Sequence, residues 1–174
     1  KLKARMKFKS FLNLVLGLLI AALISSCLPD NEVVDDPTAG EELILLNNYL
    51  NNLLSEGIDI DTTELGVYYI IIDEGAGDFP KAGDTLQVGY DGYFIDGFLF
   101  DSSENLQEDG TYEFELGNPP LIPGWEDGMK VINKEAKVQL IIPSNLAYGS
   151  SGSGVIPAFN TLIFVVKMID IKPS

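Results

Sequence analysis

Apolar residues recur at helical spacing in one early segment of the chain and at strand spacing in most of the remainder. Four leucines stand three or four positions apart: Leu43, Leu46, Leu50 and Leu53. This spacing places them on one face of a helix. Thr38 and Glu41 fit a capping box at its start, and Gly57 is a typical residue at a helix end. We therefore predict an amphipathic helix over 41–57.

Beyond Leu65 the pattern changes to alternating and β-branched residues, which are typical of strands. The predicted strands are 67–72, 85–94, 111–116, 136–142 and 161–171. A short helix is predicted over 123–131. Strands with one short helix indicate an α+β domain over 65–172, in which a twisted antiparallel sheet of about five strands wraps around the helix. The 41–57 helix is appended to the N-terminal side of this domain.

The apolar face of the appended helix has two alternative partners. It packs against its own domain, or it packs against a second copy of itself and forms a homodimer through 41–55. We favour the first alternative as the simpler one. Four asparagines cover the opposite face, and we expect water to solvate them: Asn47, Asn48, Asn51 and Asn52.

The first 26 residues have the layout of a secretory signal peptide. Five cations come first: Lys1, Lys3, Arg5, Lys7 and Lys9. The apolar centre that follows, 11–24, is shorter than the ~20 residues of a transmembrane helix. Residues 23–27 read Leu-Ile-Ser-Ser-Cys and resemble a bacterial lipobox, in which the cysteine is acylated and becomes the new N-terminus. An uncleaved signal anchor is the alternative.

The lipobox predicts a lipoprotein of the bacterial cell envelope. Lipid on Cys27 would anchor the chain to the outer membrane or to the periplasmic face of the inner membrane. Residues 27–40 contain two prolines and four acids without periodicity, so we predict a flexible tether. Cleavage would remove all five signal cations, which leaves 6 basic against 26 acidic residues and a net charge of −20.

Charge and composition exclude several classes of function. The chain carries 26 acidic and 11 basic residues, a net charge of −15, so it lacks the basic surface that nucleic-acid binding requires. Without histidine, neither a serine–histidine nucleophile nor a histidine metal site can form. One cysteine makes neither an internal disulfide nor a thiolate zinc site. Asp96 and Asp101 could form a carboxylate pair, but in so acidic a chain such pairs arise by chance.

The strongest signal is a series of seven short blocks between residues 84 and 172. They read VGYDG at 88–92, FDSS at 100–103, FELG at 114–117, LIPGWE at 121–126, IPSNLAYG at 142–149, IP at 156–157 and LIF at 162–164. In order and register they resemble the FKBP-type peptidyl-prolyl cis-trans isomerases. That resemblance implies an FKBP-like fold and an enzyme that accelerates rotation about X–Pro peptide bonds. On composition alone, ordinary core packing would explain the aromatic residues better.

The resemblance also implies a role for each matched residue around one shallow pocket for a prolyl ring. Trp125 would form the floor. Four residues would form the walls: Tyr90, Phe100, Phe164 and Ile156. Three would complete the rim: Tyr112, Leu121 and Ile122. The Tyr148 hydroxyl and the Ile122 N–H would each donate a hydrogen bond to a substrate carbonyl, and Asp101 would pair with Tyr90. By this resemblance, the catalytic residues are Tyr90, Phe100, Asp101, Tyr148 and Phe164, and the others bind substrate.

Catalysis of this kind is non-covalent and requires no metal or cofactor. Its substrates would be proline-containing exported polypeptides, and a macrolide of the FK506 type would be an inhibitor. An alternative function is an FKBP-fold binding module, an accessory chaperone subunit of an envelope complex with little isomerase activity. A carbohydrate-binding lipoprotein is a third possibility, and it requires exposed rings rather than a buried Trp125.

One departure from the family concerns a turn. Glu135 occupies a position where relatives often have glycine, so we expect Asn133 to adopt the left-handed conformation instead.

Overall fold

The computed structural model describes residues 37–107 and 109–174. The predicted signal peptide 1–26, the lipidation site Cys27 and most of the tether 27–40 lie outside the described residues. No helix within the described ranges is long and apolar enough to cross a membrane.

Helix α1 (Ala39–Ser55) begins at the predicted capping box. The Thr38 hydroxyl accepts a hydrogen bond from the Glu41 N–H at 3.3 Å, and the Glu41 carboxylate accepts one from the Thr38 N–H at 2.8 Å. Each bond satisfies an N–H group that the start of a helix otherwise leaves unpaired. The helix begins and ends two residues earlier than the predicted range 41–57.

Seven strands form one antiparallel sheet: β1 (Asp61–Thr62), β2 (Tyr68–Asp73), β3 (Thr85–Phe94), β4 (Leu99–Ser102), β5 (Tyr112–Glu115), β6 (Lys137–Ile142) and β7 (Leu162–Lys172). Their order is β1-β2-β6-β7-β3-β4, and β5 pairs with β3 beside β4. The predicted fold class is confirmed. The structure adds β1 and β4, which contain two and four residues and are too short to show a clear alternation.

Helix α2 (Pro123–Met129) packs against the inner face of this sheet. Proline at its first turn suits a position whose N–H has no partner inside the helix. Two glycines allow a close approach to β6. A Cβ atom on Gly124 would lie 2.2 Å from Ile142 Cγ2, and one on Gly128 would lie 2.5 Å from Leu140 Cδ1. The helix ends two residues before the predicted boundary.

Helix α1 covers the outer face of the same sheet. Its Leu46 packs with Ile141 of β6 and Ile163 of β7, all three of which are buried. Residues on either side of Ile141 point into the inner core instead, because successive side chains of a strand face opposite ways. The structure therefore shows the favoured alternative, in which α1 packs on its own domain. The buried face is rotated from the prediction, since Leu43 is 57% exposed and Glu42 is buried.

The turn before β6 differs from its predicted form. Glu135 itself adopts the left-handed conformation, with φ of 69°, so the expectation for Asn133 was wrong. Both backbone groups of Glu135 are bonded: its N–H donates to the Met168 carbonyl at 3.0 Å, and its carbonyl accepts a hydrogen bond from Lys167 Nζ. These bonds hold the residue in a conformation that costs energy for a side chain with a Cβ.

Candidate active site

An open pocket of about 300 Å³ lies where α2 meets the inner face of the sheet. Nine of the described residues line it: Tyr90, Asp101, Leu106, Tyr112, Leu121, Ile122, Trp125, Tyr148 and Phe164. Eight of these were expected from the sequence. Tyr90 comes from β3, Phe164 from β7 and Trp125 from α2, so elements far apart in sequence meet at one site.

Trp125 lies beneath two aromatic rings. It is 4% exposed. Its ring centroid lies 5.3 Å from that of Tyr90 and 5.1 Å from that of Phe164, in edge-to-face geometry. Such contacts stabilise an aromatic cluster beyond the burial of its area. Because Trp125 is buried, it cannot act as the exposed platform of a carbohydrate-binding site, and that possibility is excluded.

Close packing of the wall depends on Gly92. This residue pairs with Phe164 across β3 and β7. A Cβ atom there would lie 2.8 Å from the Phe100 ring and 2.9 Å from the Phe164 ring. Glycine therefore lets both rings lie against the strand.

Phe100 and Ile156 are the two predicted site residues that do not line the pocket. Phe100 packs edge-to-face against Phe164 at 5.6 Å and stacks on Phe94 at 4.8 Å. Ile156 is half-buried against the inner core. The pocket gains Leu106 instead, which follows the 3₁₀ turn Ser103–Asn105. Leu106 lies between the matched blocks 100–103 and 114–117, so no sequence pattern indicated it.

Among the residues that the structure describes, Asp101 is the one carboxylate that lines the pocket, and hydrogen bonds hold it in place. Asp101 accepts one bond from the Tyr90 hydroxyl and one from the Ser102 N–H, both at 2.8 Å. Burial raises the pKa of Tyr90, and the hydrogen bond to Asp101 raises it further. Tyr90 therefore remains a protonated donor at neutral pH. Its backbone is fixed as well, since the Tyr90 N–H donates to the Ser103 hydroxyl at 2.9 Å.

The rim of the pocket is formed by two short segments. Leu121 precedes α2, and its N–H donates to the Glu126 carboxylate at 2.9 Å. Ile122 is the N-cap residue of α2. Tyr148 follows the 3₁₀ turn Ser144–Leu146 and is 38% exposed. These residues surround the mouth of the pocket.

The sequence pattern of the family described as FKBP-type peptidyl-prolyl cis-trans isomerase matches residues 77–169. The FKBP-type isomerase FkpA of Escherichia coli K12 is 39% identical over 115 residues, covering 66% of this chain and 41% of that protein. FK506-binding protein 2 of Debaryomyces hansenii is 38% identical over 111 residues, covering 64% of this chain and 81% of that protein.

Two solved structures have the same fold. The crystal structure of FkpA from E. coli superposes with a TM-score of 0.67 at 36% identity, over 78% of this chain and 61% of that one. A peptidyl-prolyl isomerase from Pseudomonas syringae superposes with a TM-score of 0.66 at 27% identity, over 79% of this chain and 98% of that one.

The fold, the pocket and these matches together define the protein class. The chain belongs to the FKBP-type peptidyl-prolyl cis-trans isomerase family. The predicted family is confirmed. The chain spans 41% of the E. coli FkpA and 50% of the Aeromonas hydrophila FkpA.

Proposed function

We propose that this chain accelerates cis-trans isomerisation of X–Pro bonds in exported polypeptides. The observation that supports it is the open aromatic pocket, in which Trp125, Tyr90 and Phe164 surround a volume of about 300 Å³. Such a cavity accommodates a prolyl ring and leaves the flanking peptide at the surface.

The chemistry requires no nucleophile. Rotation about a peptide bond faces a barrier of ~18–20 kcal/mol, because twisting breaks amide resonance. X–Pro bonds populate the cis form far more often than other peptide bonds do. The planar amide separates charge more than the twisted amide does. An apolar aromatic pocket therefore disfavours the planar ground state more than the twisted one, and this difference lowers the barrier.

Each polar group in the pocket has a proposed part. The Tyr148 hydroxyl and the Ile122 N–H, both at the mouth, donate to substrate carbonyls and fix the peptide on either side of the turning bond. Asp101 keeps the Tyr90 ring in place. Because its carboxylate already accepts two hydrogen bonds, it serves as an electrostatic and structural member rather than a general base.

The remaining predicted site residues act at the edge of the pocket. Phe100 supports the wall through Phe164, which it contacts directly. Leu121 and Tyr112 contact the peptide at the rim, and Ile156 does so from the loop beyond Tyr148. A macrolide of the FK506 type would occupy the same pocket and inhibit the enzyme.

The cell envelope is the proposed location. The lipobox motif supports cleavage before Cys27 and a lipid anchor there, in the outer membrane or on the periplasmic face of the inner membrane. Clients would then be exported polypeptides that fold outside the cytoplasm. Mass spectrometry of the membrane-extracted protein tests this, because an unacylated Cys27 would contradict the anchor.

A homodimer through α1 would use the outward face of that helix, since the inward face is covered by the sheet. Exposed apolar side chains support it: Leu43, Ile44, Leu45 and Leu54. The same face would serve an accessory chaperone role in an envelope complex. Sedimentation of the wild type and of Ile44→Asp tests the dimer. A monomer at all concentrations for both proteins would contradict it.

The proposed activity is tested by a proline-limited refolding assay with residues 28–174. We expect the wild type to accelerate the slow phase and Trp125→Ala to lose most of the acceleration. Phe79→Ala is a matched control, because Phe79 is an exposed aromatic residue that lines a separate groove. A slow phase that is unchanged at excess wild-type protein would refute the proposal.

A further inference from the structure

Glu42 of α1 is a buried carboxylate that the family match does not include. It lies in a helix that precedes the matched range 77–169, and it is 9% exposed. Its carboxylate accepts three hydrogen bonds. The Ser144 N–H and the Thr161 hydroxyl each donate to Oε1 at 2.7 Å, and the Ser144 hydroxyl donates to Oε2. All three donors are neutral.

The two contact residues lie at the two ends of one loop. Ser144 follows β6 by two residues, and Thr161 directly precedes β7. Between them runs the segment 145–160, which carries Tyr148 of the candidate active site. One side chain of α1 therefore holds both ends of the loop that presents this hydroxyl.

Backbone hydrogen bonds continue from Ser144 into the loop. The Ser144 carbonyl accepts bonds from the Ala147 N–H at 2.9 Å and from the Gly149 N–H at 2.8 Å. The Gly149 carbonyl then accepts a bond from the Phe159 N–H at 2.8 Å. These bonds bracket Tyr148 in sequence, so a displacement of Ser144 would move its backbone.

The loop has little regular structure of its own. After the 3₁₀ turn Ser144–Leu146 it contains three glycines with positive φ: Gly149, Gly152 and Gly154. Glycine loses more backbone entropy than other residues when it is fixed in one conformation. A loop of this composition depends on contacts at its ends to remain in one place.

The geometry points to Glu42 as a positioning residue for Tyr148. The Glu42 carboxylate binds Ser144 and Thr161, and these two residues hold the loop that carries Tyr148. This inference rests on the proposed isomerase function, since it assigns Glu42 a part in that reaction. A buried carboxylate must keep its donors, because losing them would leave the charge desolvated and unpaired. The two loop ends are therefore fixed together, and α1 becomes part of the enzyme.

The first test compares three variants in the full chain, each at a temperature where circular dichroism shows it folded. Glu42→Ala is expected to lower kcat/KM for a proline tetrapeptide about tenfold, because a misplaced catalytic group is costly. Glu42→Gln keeps an acceptor oxygen and is expected to recover most of that loss. Leu46→Ala loosens the same helix at its contact with Ile141 and Ile163 but removes no hydrogen bond to the loop. It is expected to stay within about twofold of wild type.

A double-mutant cycle separates positioning from general destabilisation. In a Tyr148→Phe background, the hydroxyl that Glu42 positions is gone. Glu42→Ala is then expected to change kcat/KM less than about twofold. If the fold-losses in kcat/KM of the two single variants multiply in the double variant, the inference is overturned. Equal losses in kcat/KM for Glu42→Ala and Leu46→Ala would overturn it as well.

Hydrogen exchange distinguishes failure of this inference from failure of the proposed function. A wild type without isomerase activity would refute that function, but it would leave the loop contacts measurable. We expect Glu42→Ala to speed exchange of the Gly149 and Phe159 amides about tenfold relative to the Val88 amide of β3. We expect Leu46→Ala not to change this ratio. Unchanged exchange in Glu42→Ala would refute the link between α1 and the loop.

Discussion

Single residues decide how closely the aromatic pocket is packed. The Tyr90 hydroxyl donates a hydrogen bond to Asp101, so this ring and this carboxylate hold each other in place in the pocket wall. Gly92 provides the space in which the rings of Phe100 and Phe164 meet the strand. The packing of the pocket wall therefore depends on the absence of a side chain at Gly92 as well as on the aromatic rings.

Gly92→Ala tests this packing. The added Cβ would overlap both rings, and overpacking of this kind costs about 1–3 kcal/mol. We expect a loss of that size in the free energy of unfolding, measured with urea. Gly89→Ala on the same strand is the control, because its Cβ would have no neighbour closer than 3.8 Å. Equal losses for the two variants would contradict the packing described.

Glu135 is strained by its left-handed backbone, and relief of the strain should stabilise the protein. A left-handed conformation costs a residue with a Cβ about 1–2 kcal/mol. Glycine loses more entropy on folding, so Glu135→Gly is expected to gain about 0.5–1 kcal/mol. Thermal unfolding measures the gain. Glu135→Ala removes the carboxylate but keeps the Cβ. If this variant gains as much stability as Glu135→Gly, the gain comes from the lost charge and not from relief of backbone strain.

At the level of secondary structure, the long elements were predictable and the short ones were not. Strand β3 contains ten residues and alternates between apolar and polar positions from Leu86 to Asp91, and β7 is a run of eleven residues rich in β-branched side chains. Both signals are typical of strands. Strand β4 has four residues and depends on its pairing with β3. Its Phe100 was expected to line the pocket, but it packs against Phe164 instead. The block order predicted eight of the nine lining residues, because it reflects the family's fold rather than local pattern.

Helix α1 shows why the rest could not be predicted. Its leucine spacing predicts Leu43 on the buried face, but Glu42 is buried there instead. The donors that make this possible, on Ser144 and Thr161, lie 102 and 119 positions further along the chain. No local pattern contains that information.

Asp127 of helix α2 is 3% exposed and connects this helix by a hydrogen bond to the segment before β2. Its Oδ2 accepts a hydrogen bond from the Leu65 N–H at 2.9 Å. Burial raises the pKa of Asp127, but the Thr63 hydroxyl, the Leu65 N–H and Lys130 together lower it below its ordinary value. The folded state therefore binds this proton more weakly than the unfolded state does. The stability from Asp127 is present above the unfolded pKa and is lost as pH falls through the lower, folded pKa.

Asp127→Asn removes this titration and weakens the bond to Leu65. We expect about 1–3 kcal/mol less stability at pH 7 and a shallower loss of stability below pH 4. Urea unfolding at pH 7 and at pH 3 measures both effects. Asp170→Asn is the control, since Asp170 pairs with Lys134 at the exposed surface, and it should change little. If Asp127→Asn loses as much stability between pH 7 and pH 3 as the wild type does, this role of Asp127 is contradicted.

Over the whole molecule, the excess of acidic residues is the dominant electrostatic feature. The chain has a net charge of −15, and like charges repel one another more in the compact state than in the unfolded state. Salt screens repulsion between exposed charges over distances beyond about 8 Å at physiological ionic strength. We expect the melting temperature to rise between 20 and 200 mM sodium chloride. A melting temperature that falls steadily with salt would contradict this.

The central claim is that one aromatic pocket holds proline while the preceding amide rotates. It is tested most directly by the cis-to-trans rate constant of proline tetrapeptides that differ in the residue before proline. The account predicts that wild-type protein lowers the barrier by ~4 kcal/mol, roughly a thousandfold acceleration, and that Phe164→Ala abolishes most of it. A rate equal to the uncatalysed one for every tetrapeptide, at saturating wild-type protein, would contradict the claim.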